Sequence, residues 1–203
     1  MTTAPAKTLT VAITGASGVL LARTLLRTLV ADVRVARVHL VPSEASLRVL
    51  AEELNVHGRN HLAERLLGAP SEKIHLHAPA DIGAPIASGS YPTDGMIVLP
   101  CSMGTLASIA QGTAETLIAR AADVCLKERR ALLLCLRETP FNKIHLRNMS
   151  LAADAGAVIF PVIPAFYNHP VSVEDMAQHF VERVLAHIGL AQPRSYQWPG
   201  NQE

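Results

Sequence analysis

The stretch Leu-Thr-Val-Ala-Ile-Thr-Gly-Ala-Ser-Gly, residues 9 to 18, decides the fold class of this chain. Its first part, Leu9 to Thr14, is apolar and β-branched, which predicts a buried strand. Gly15 to Gly18 then predicts a tight turn, and Val19 to Val30 carries leucines at helical spacing. A strand that turns directly into an amphipathic helix is typical of parallel sheets whose strands are joined by crossover helices.

The rest of the chain repeats this alternation. We expect further strands at residues 33–41, 73–77, 95–99, 131–136 and 158–163, and further helices at 43–54, 102–111, 114–129, 142–155 and 173–188. The pattern predicts an α/β fold: a single Rossmann-like domain with a mostly parallel sheet and helices on both faces. The domain is expected to span residues 1–190. Residues 191–203 are expected to form a C-terminal tail that is loosely ordered or docked on a neighbour.

The amino-acid composition limits the number of domains and the kinds of partner that we expect. The 203 residues fit one domain, and 49% of them are apolar while 17% are charged, which weakly favours a homo-oligomer. A formal net charge of +1 excludes a global attraction to nucleic acid or to an anionic membrane. The three cysteines lack C-x-x-C spacing, so we expect neither a disulfide framework nor a zinc site. Without a leader or a membrane-spanning stretch, the chain is expected to be cytoplasmic.

The glycine-rich turn after the first strand can hold a phosphate. Free N–H groups at a helix start and close backbone approach suit an anion. The spacing G-x-G-x-x-G is absent, and the second strand ends in Pro42-Ser43, where a dinucleotide-binding fold places an acidic residue. The pattern therefore favours a mononucleotide over NAD, with a bare strand-to-helix turn as the alternative.

Two further loops at the carboxyl ends of strands contain residues that could bind a ligand or transfer a proton. The segment Ser102 to Thr105 offers hydroxyls and amides at a helix start, which either bind a ligand or simply cap the helix. Arg137 and Glu138 follow a buried strand directly, so Glu138 either transfers a proton or forms a surface ion pair. Pro140 is expected to hold Thr139 extended.

Several basic and polar residues could bind an anion. Arg120 and Lys127 are two helical turns apart and share a face, although a solvated helix end is the alternative. Tyr167 and Arg183, taken separately, indicate only a core edge and a surface position. Nine scattered histidines offer no third ligand beside any pair, so we expect no metal site.

Taken together, these loops resemble the UbiX-type flavin prenyltransferases, within a wider group of FMN-binding cysteine decarboxylases. The resemblance is carried, in order along the chain, by Thr14 to Gly18, Pro100 to Leu106, Arg120 to Val124, Leu126 to Arg130, Arg137 to Pro140, Ile144 to Leu146, Asn148-Met149 and Pro164 to Tyr167.

The resemblance implies which residues form the site. The residues that would hold FMN are Gly15, Ala16, Ser17, Ser43, Ser102, Met103, Gly104, Thr105 and Arg137. Those that would hold the phosphate of dimethylallyl phosphate are Arg120, Lys127, Tyr167 and Arg183. Glu138 would be the acid/base, and Ser17 and Lys127 would assist catalysis.

The resemblance also implies an activity and an assembly. The activity is metal-independent transfer of the dimethylallyl group to N5 and C6 of reduced FMN. Prenylated FMN would then serve a partner decarboxylase, and the sites would be shared between subunits of a homododecamer.

Two alternatives lack prenyl transfer. One is an oxidative decarboxylase that uses FMN, and the other is a flavin carrier. Ile82 motivates them, because it stands where the compared family members carry an aromatic residue.

Overall fold

The computed structural model describes residues 5–193 and Ser195. Most of the predicted tail, with the expectation that it is loose or docked on a neighbour, lies outside the described residues. Within them, none of the helices is long and apolar enough to cross a membrane.

In the described part of the chain, six strands form one sheet in which every pairing is parallel. They are β1 (Lys7–Ile13), β2 (Val35–Pro42), β3 (Ile74–Leu76), β4 (Gly95–Cys101), β5 (Ala131–Leu136) and β6 (Val158–Ile159). The spatial order is β3-β2-β1-β4-β5-β6, so the chain reverses direction across the sheet between β1 and β4. The predicted Rossmann-like fold is confirmed. Such a reversal opens a crevice at the carboxyl ends of the two central strands, where ligands bind in open α/β sheets.

Within residues 5–193 and 195, seven α-helices cover the two faces of the sheet. They are α1 (Val19–Ala31), α2 (Glu44–Leu54), α3 (Leu62–Leu67), α4 (Met103–Gln111), α5 (Leu117–Lys127), α6 (Lys143–Asp154) and α7 (Val173–His187), with one short 3₁₀ turn at Pro85–Ala87. Apolar side chains of α1, α2, α3 and α7 pack on one face of the sheet. Those of α4, α5 and α6 pack on the other.

The first crossover helix illustrates why the layers hold together. Leu25, Leu26 and Leu29 of α1 are fully buried, as their spacing along one helical face predicts. Each buried leucine contributes roughly 2 kcal/mol of transfer free energy. Truncating Leu26 to alanine would therefore cost about 2 to 5 kcal/mol, because a cavity would remain.

The structure differs from the predicted elements at three places. Helix α3 was not predicted, since six residues give little periodic signal. Helix α5 is shorter than expected, because Thr116 caps its start and Arg129 takes a positive φ of 54° just after its end. Strand β6 ends at Ile159 instead of residue 163, although the N–H groups of Phe160 and Val162 still donate to β5.

Candidate active site at the carboxyl edge of the sheet

The predicted loops do meet at the carboxyl edge of the sheet, and Thr14 joins the two central ones. This buried side chain donates its Oγ1 hydrogen to the carbonyl oxygen of Pro100 at 2.8 Å. The same oxygen accepts the N–H of Ser102 at 2.8 Å. One hydroxyl therefore links the end of β1 to the end of β4 and to the start of α4.

Gly15 is required by the protein's own packing. A Cβ atom at this position would lie 2.6 Å from the Cβ of Ala45 in α2. Real Cβ atoms do not approach so closely, so any larger residue would push the loop away from α2. Ala16 follows with its N–H donated to the Thr14 carbonyl oxygen at 2.8 Å, and the side chain of Ser17 is exposed.

The start of α1 is already occupied by a carboxylate. The N–H of Gly18 lies 3.0 and 3.1 Å from the two oxygens of Glu53, and the N–H of Val19 donates to Glu53 Oε2 at 3.1 Å. The prediction of free N–H groups at this helix start is therefore wrong for these two residues. An anionic ligand has to find its donors elsewhere along the edge.

Two other helix starts remain suited to an anion. Ser43 caps α2 by accepting the N–H of Ser46 at 3.1 Å. Ser102 caps α4 by accepting the N–H of Thr105 at 3.3 Å. Both hydroxyls act as ordinary helix caps, as the capping alternative predicts. Ser43 and the first turn of α4 also line one cavity.

That cavity has a volume of about 470 Å³. Its lining includes Ser43, Pro79, Gly104, Thr105 and Thr116. A volume in this range suits a small ligand or one part of a larger one. The acidic Glu44, also in the lining, is bonded to Arg59 at 2.7 Å.

Gly104 contrasts with Gly15. A Cβ atom built on Gly104 meets no atom of the described chain within 4 Å. Nothing in the protein's own packing therefore demands a glycine at this exposed position in the first turn of α4. The open space would let a ligand approach the backbone here. Met103, the preceding residue, is buried in the core beneath the loop.

The end of β5 places Arg137 and Glu138 at the same edge. The N–H of Arg137 donates to the carbonyl oxygen of Cys101, the last residue of β4, at 3.1 Å. Both side chains are exposed, and Glu138 Oε1 accepts the N–H of Thr139 at 2.9 Å. The bond between Thr139 and Pro140 is cis. The carboxylate of Glu138 is thus accessible from the crevice side of the sheet.

Arg120 contacts the 3₁₀ turn, and Lys127 lies beside the loop that follows it. Arg120 Nε donates to the carbonyl oxygen of Ala87 at 3.2 Å. Lys127 pairs with Glu128, and a Cβ on Gly89 would lie 2.5 Å from Lys127 Nζ. The ion pair lowers the pKa of Glu128. The expectation that Arg120 and Lys127 share one face of α5 agrees with these contacts.

Tyr167 and Arg183 lie in a different part of the fold. They line a second cavity of about 730 Å³, together with apolar side chains such as Phe160 and Phe180. Buried Asn168 Oδ1 in this lining has no hydrogen-bond partner within residues 5–193 and 195. The four predicted phosphate-binding residues therefore divide into two pairs in a single chain: Arg120 with Lys127, and Tyr167 with Arg183.

A histidine network at β2 and β3 was not predicted. His39 Nδ1 is 2.8 Å from His77 Nε2, and His39 Nε2 is 3.0 Å from the hydroxyl of Tyr91, which also accepts from Arg37 Nη1 at 3.1 Å. Burial lowers the pKa of His39 to about 4, and nearby His77, His75 and Arg37 add to the shift. Burial also lowers the pKa of His77. No local sequence signal could have identified the network, because it depends on the register of β2 and β3, in which His39 pairs with His75.

Neither cysteines nor metal ligands offer alternative chemistry in the described part of the chain. All three cysteines are free and buried. Burial raises the pKa of the Cys125 thiol to about 11 and raises those of Cys101 and Cys135 as well, so these thiols stay protonated near neutral pH. No group of three or more histidine, cysteine or acidic residues within residues 5–193 and 195 could hold a metal ion.

Comparison with known proteins relates this arrangement to a family. The Flavoprotein family profile matches residues 2–185. The flavin prenyltransferase UbiX of Salmonella typhimurium is 44% identical over 196 residues, which cover 96% of this chain and 99% of that protein. The chain belongs to the UbiX family of flavoproteins.

Solved structures of UbiX-type proteins agree in fold. AnUbiX in complex with FMN and dimethylallyl pyrophosphate superposes with a TM-score of 0.86 at 41% identity, covering 97% of this chain and all of that chain. A dodecameric FMN-dependent UbiX-like decarboxylase from Escherichia coli O157:H7 gives 0.85 at 43% identity, covering 95% of this chain and all of the other. The resemblance seen in the sequence motifs is thus confirmed at the level of family and fold.

Proposed function

We propose that this protein is a flavin prenyltransferase that joins a dimethylallyl group to N5 and C6 of reduced FMN, without a metal ion. The observation that carries the proposal is the cavity between the starts of α2 and α4, with open space over Gly104. The product, prenylated FMN, would serve a partner decarboxylase in the cytoplasm. We expect no role for a membrane or a nucleic acid.

The residues at the cavity fit a flavin mononucleotide. Ser43, Ser102 and Thr105 place hydroxyls and helix starts where a terminal phosphate is favourable. Gly15, Ala16 and Ser17 would line the flavin from the β1 side, and Met103, Gly104 and Arg137 from the β4 and β5 side. Gly104 supports this, because the space over its Cα is open and would admit a flavin close to the backbone.

When bound, reduced FMN would supply the N5 and C6 atoms that become bonded to the dimethylallyl group. Breaking the carbon–oxygen bond of the donor leaves negative charge on its phosphate. The cations of Arg120, Lys127 and Arg183 and the hydroxyl of Tyr167 would stabilise that charge. Glu138, with an accessible carboxylate, would take up and return a proton, and the Ser17 hydroxyl would assist.

The decisive experiment measures the mass of the flavin. The protein is incubated anaerobically with reduced FMN and dimethylallyl phosphate in the presence of EDTA, and in parallel with the diphosphate donor. We expect a flavin heavier by one C5H8 unit, without a requirement for magnesium. Stoichiometric binding of unmodified FMN would instead favour the flavin carrier. Decarboxylation of a cysteine-ended peptide would favour the oxidative decarboxylase.

We further infer a homo-oligomer, with a dodecamer as the expected state, whose sites are shared between subunits. Two observations support sharing. Tyr167 and Arg183 line a different cavity from the one beside α4. Large apolar side chains near them are exposed, including Ile163 at 70% and Phe166 at 66%, as is Ile144 of α6 at 66%. Apolar surface of this kind indicates a contact with another chain.

Mixed assemblies test the sharing of sites. A Lys127→Ala chain and an Arg183→Ala chain are each expected to be inactive alone. Co-expressed, they should regain activity, because some sites then combine an intact Lys127 from one subunit with an intact Arg183 from another. Mixed assemblies of native size without activity would show that each site belongs to one chain. Light scattering of the wild type gives the oligomeric state directly.

A further inference from the structure

Arg130 connects the end of α5 to the loop of residues 88–93, which follows the 3₁₀ turn. Its Nη1 donates to the carbonyl oxygen of Tyr91 at 2.9 Å and to the hydroxyl of Thr93 at 3.2 Å, and its Nη2 donates to the carbonyl oxygen of Gly89 at 2.6 Å. Its own N–H donates to the carbonyl oxygen of Cys125 in α5 at 2.8 Å. One half-buried guanidinium therefore fixes three points of the 88–93 loop.

These bonds depend on the forked shape of arginine. A guanidinium is planar and presents its N–H groups in fixed directions, so it can bond to Gly89 and Tyr91 at the same time. A lysine has the same charge but carries a single nitrogen on a flexible stem. Carbonyl groups that lose their partner in a part-buried position cost free energy. The loop therefore depends on the shape of Arg130 and not only on its charge.

The loop in turn contacts Lys127, one of the proposed phosphate-binding residues. A Cβ atom on Gly89 would lie 2.5 Å from Lys127 Nζ and closer still to Glu128 Oε1, so the ion pair of Lys127 with Glu128 packs on the bare backbone of Gly89. Gly89 is not among the residues with a positive φ, so this contact and not the backbone conformation requires a glycine. The carbonyl oxygen of the same glycine is bonded to Arg130. A shift of the loop would therefore change the position that is open to the Lys127 ammonium group.

We propose that Arg130 is a positioning residue for the donor phosphate: it holds the 88–93 loop against the end of α5, and the backbone of Gly89 then fixes where the Lys127 ammonium group lies. The inference rests on the proposed prenyl transfer, in which Lys127 binds the phosphate. Arg130 is not itself placed on the phosphate, because its Nη1 and Nη2 atoms are bonded to the loop.

Arg129 provides a matched control. It directly precedes Arg130, carries the same charge and is exposed, and its side chain makes no hydrogen bond within the described part of the chain. Arg129→Lys and Arg130→Lys are thus the same chemical change at adjacent positions. Only the second removes the forked bonds to the loop.

The first experiment measures kinetics in the assembled protein with FMN bound. We expect Arg130→Lys to raise the KM for dimethylallyl phosphate about tenfold, the effect of one weakened phosphate contact, while FMN affinity stays within about twofold of the wild type. Arg129→Lys should match the wild type in both measurements. Equal KM values for the two variants would overturn the proposal. An equal loss of FMN affinity and donor affinity in Arg130→Lys would also overturn it, because it would indicate a general structural role.

Gly89→Ala tests the link between the loop and Lys127 while Arg130 is kept. The added methyl group would overlap the Lys127 ammonium group, so the lysine or the loop has to move. We expect a similar rise in the KM for dimethylallyl phosphate, again with FMN affinity retained. A wild-type KM in this variant would show that the position of the loop does not govern Lys127.

A double-mutant cycle shows whether Arg130 acts through Lys127. Because Lys127→Ala is expected to be inactive, the cycle uses the affinity for inorganic phosphate, measured by titration with phosphorus NMR. Arg130→Lys should weaken phosphate binding in the otherwise wild-type chain but should cause no further loss when it is added to Lys127→Ala. Additive losses would contradict a role that is exerted through Lys127.

Hydrogen exchange keeps this inference distinct from the proposed function. The N–H of Tyr91 donates to the carbonyl oxygen of Ser88 at 3.2 Å within the loop. In the ligand-free protein, this amide should exchange faster in Arg130→Lys than in Arg129→Lys, and equal exchange would show that Arg130 does not hold the loop. If the wild type bound FMN but transferred no prenyl group, the proposed function would be wrong. The phosphate cycle would still decide whether Arg130 positions Lys127.

Discussion

The two halves of the carboxyl edge differ in how far the chain's own residues fill the space and satisfy the hydrogen-bonding groups there. In the half formed by β1, β2 and β3, Gly15 packs on Ala45, the start of α1 is bonded to Glu53, and His39 is buried. In the half formed by β4, β5 and β6, Gly104 meets no atom within 4 Å and Glu138 is exposed. In the first half the chain's own side chains fill the edge, whereas in the second half Gly104 and Glu138 stay accessible.

The largest expected effect is on activity and comes from the second half. Glu138→Gln keeps the shape of the side chain but removes its ability to accept a proton. We expect turnover to fall by about 10²- to 10⁴-fold with little change in FMN affinity or stability, because Glu138 is exposed and bonds only to its neighbouring amide. The rate of prenylated FMN formation, followed by mass spectrometry, measures the effect.

A control for that variant is Glu72→Gln. Glu72 is also exposed but precedes β3, at the amino edge of the sheet. It should leave turnover unchanged. An active Glu138→Gln would remove Glu138 from proton transfer and weaken the distinction between the two halves.

The next effect is on stability and comes from His39 in the first half. The pKa of His39 is lowered to about 4 in the folded protein, against 6.5 for a free histidine. Below pH 6.5 the unfolded chain binds a proton that the folded chain excludes. The contribution of neutral His39 to the free energy of unfolding should therefore be fully present above pH 6.5. About 3 kcal/mol of it should be lost as the pH decreases toward 4.

Urea unfolding between pH 4 and pH 8 measures this loss. The variant His39→Gln should lack this part of the pH dependence, whatever its stability at neutral pH. A wild type and a His39→Gln variant with parallel pH profiles would show that burial of His39 does not govern the acid response of this half.

A smaller effect distinguishes the two glycines of the edge, beginning with Gly15→Ala. The added methyl group would overlap Ala45, so the loop or α2 must shift. We expect a loss of about 1 to 3 kcal/mol, or a decrease in Tm of about 2 to 10 °C for a domain of this size. Thermal unfolding without ligand measures it. An unchanged Tm would show that α2 moves aside easily and that this half is not rigid.

Gly104→Ala should behave in the opposite way. Because no described atom lies within 4 Å of the new methyl group, and because alanine suits a helix better than glycine, ligand-free stability should stay equal or rise slightly. FMN affinity should fall about tenfold, or about 1.4 kcal/mol, since the methyl group occupies the ligand's space. Tight FMN binding by this variant would place the flavin elsewhere.

Local sequence features predicted most of the fold and the parts of the site that lie beside helix starts. Leucines of α1 revealed their helix by spacing alone, and Ser43 and Ser102 were recognisable because a serine before a helical run caps it. Strand β6 and helix α3 were harder to predict. They contain two and six residues, and such short segments carry little periodicity.

Long-range contacts could not be predicted in the same way. Glu53 looks like a solvated helix residue until the loop 35 residues before it folds back along α2. The bond between His39 and His77 depends on the register of β2 and β3. The separation of Tyr167 and Arg183 from Lys127 depends on packing that no local pattern records.

The hydroxyl of Thr14 connects the two halves of the carboxyl edge. It is one of the few polar groups in the core, and it both donates to Pro100 and accepts from Ser102. A ligand that displaced Ser102 would therefore disturb a hydrogen bond to the residue that precedes Gly15. Slower or faster exchange of the Ser102 amide on ligand binding would measure such a coupling between the two halves of the edge.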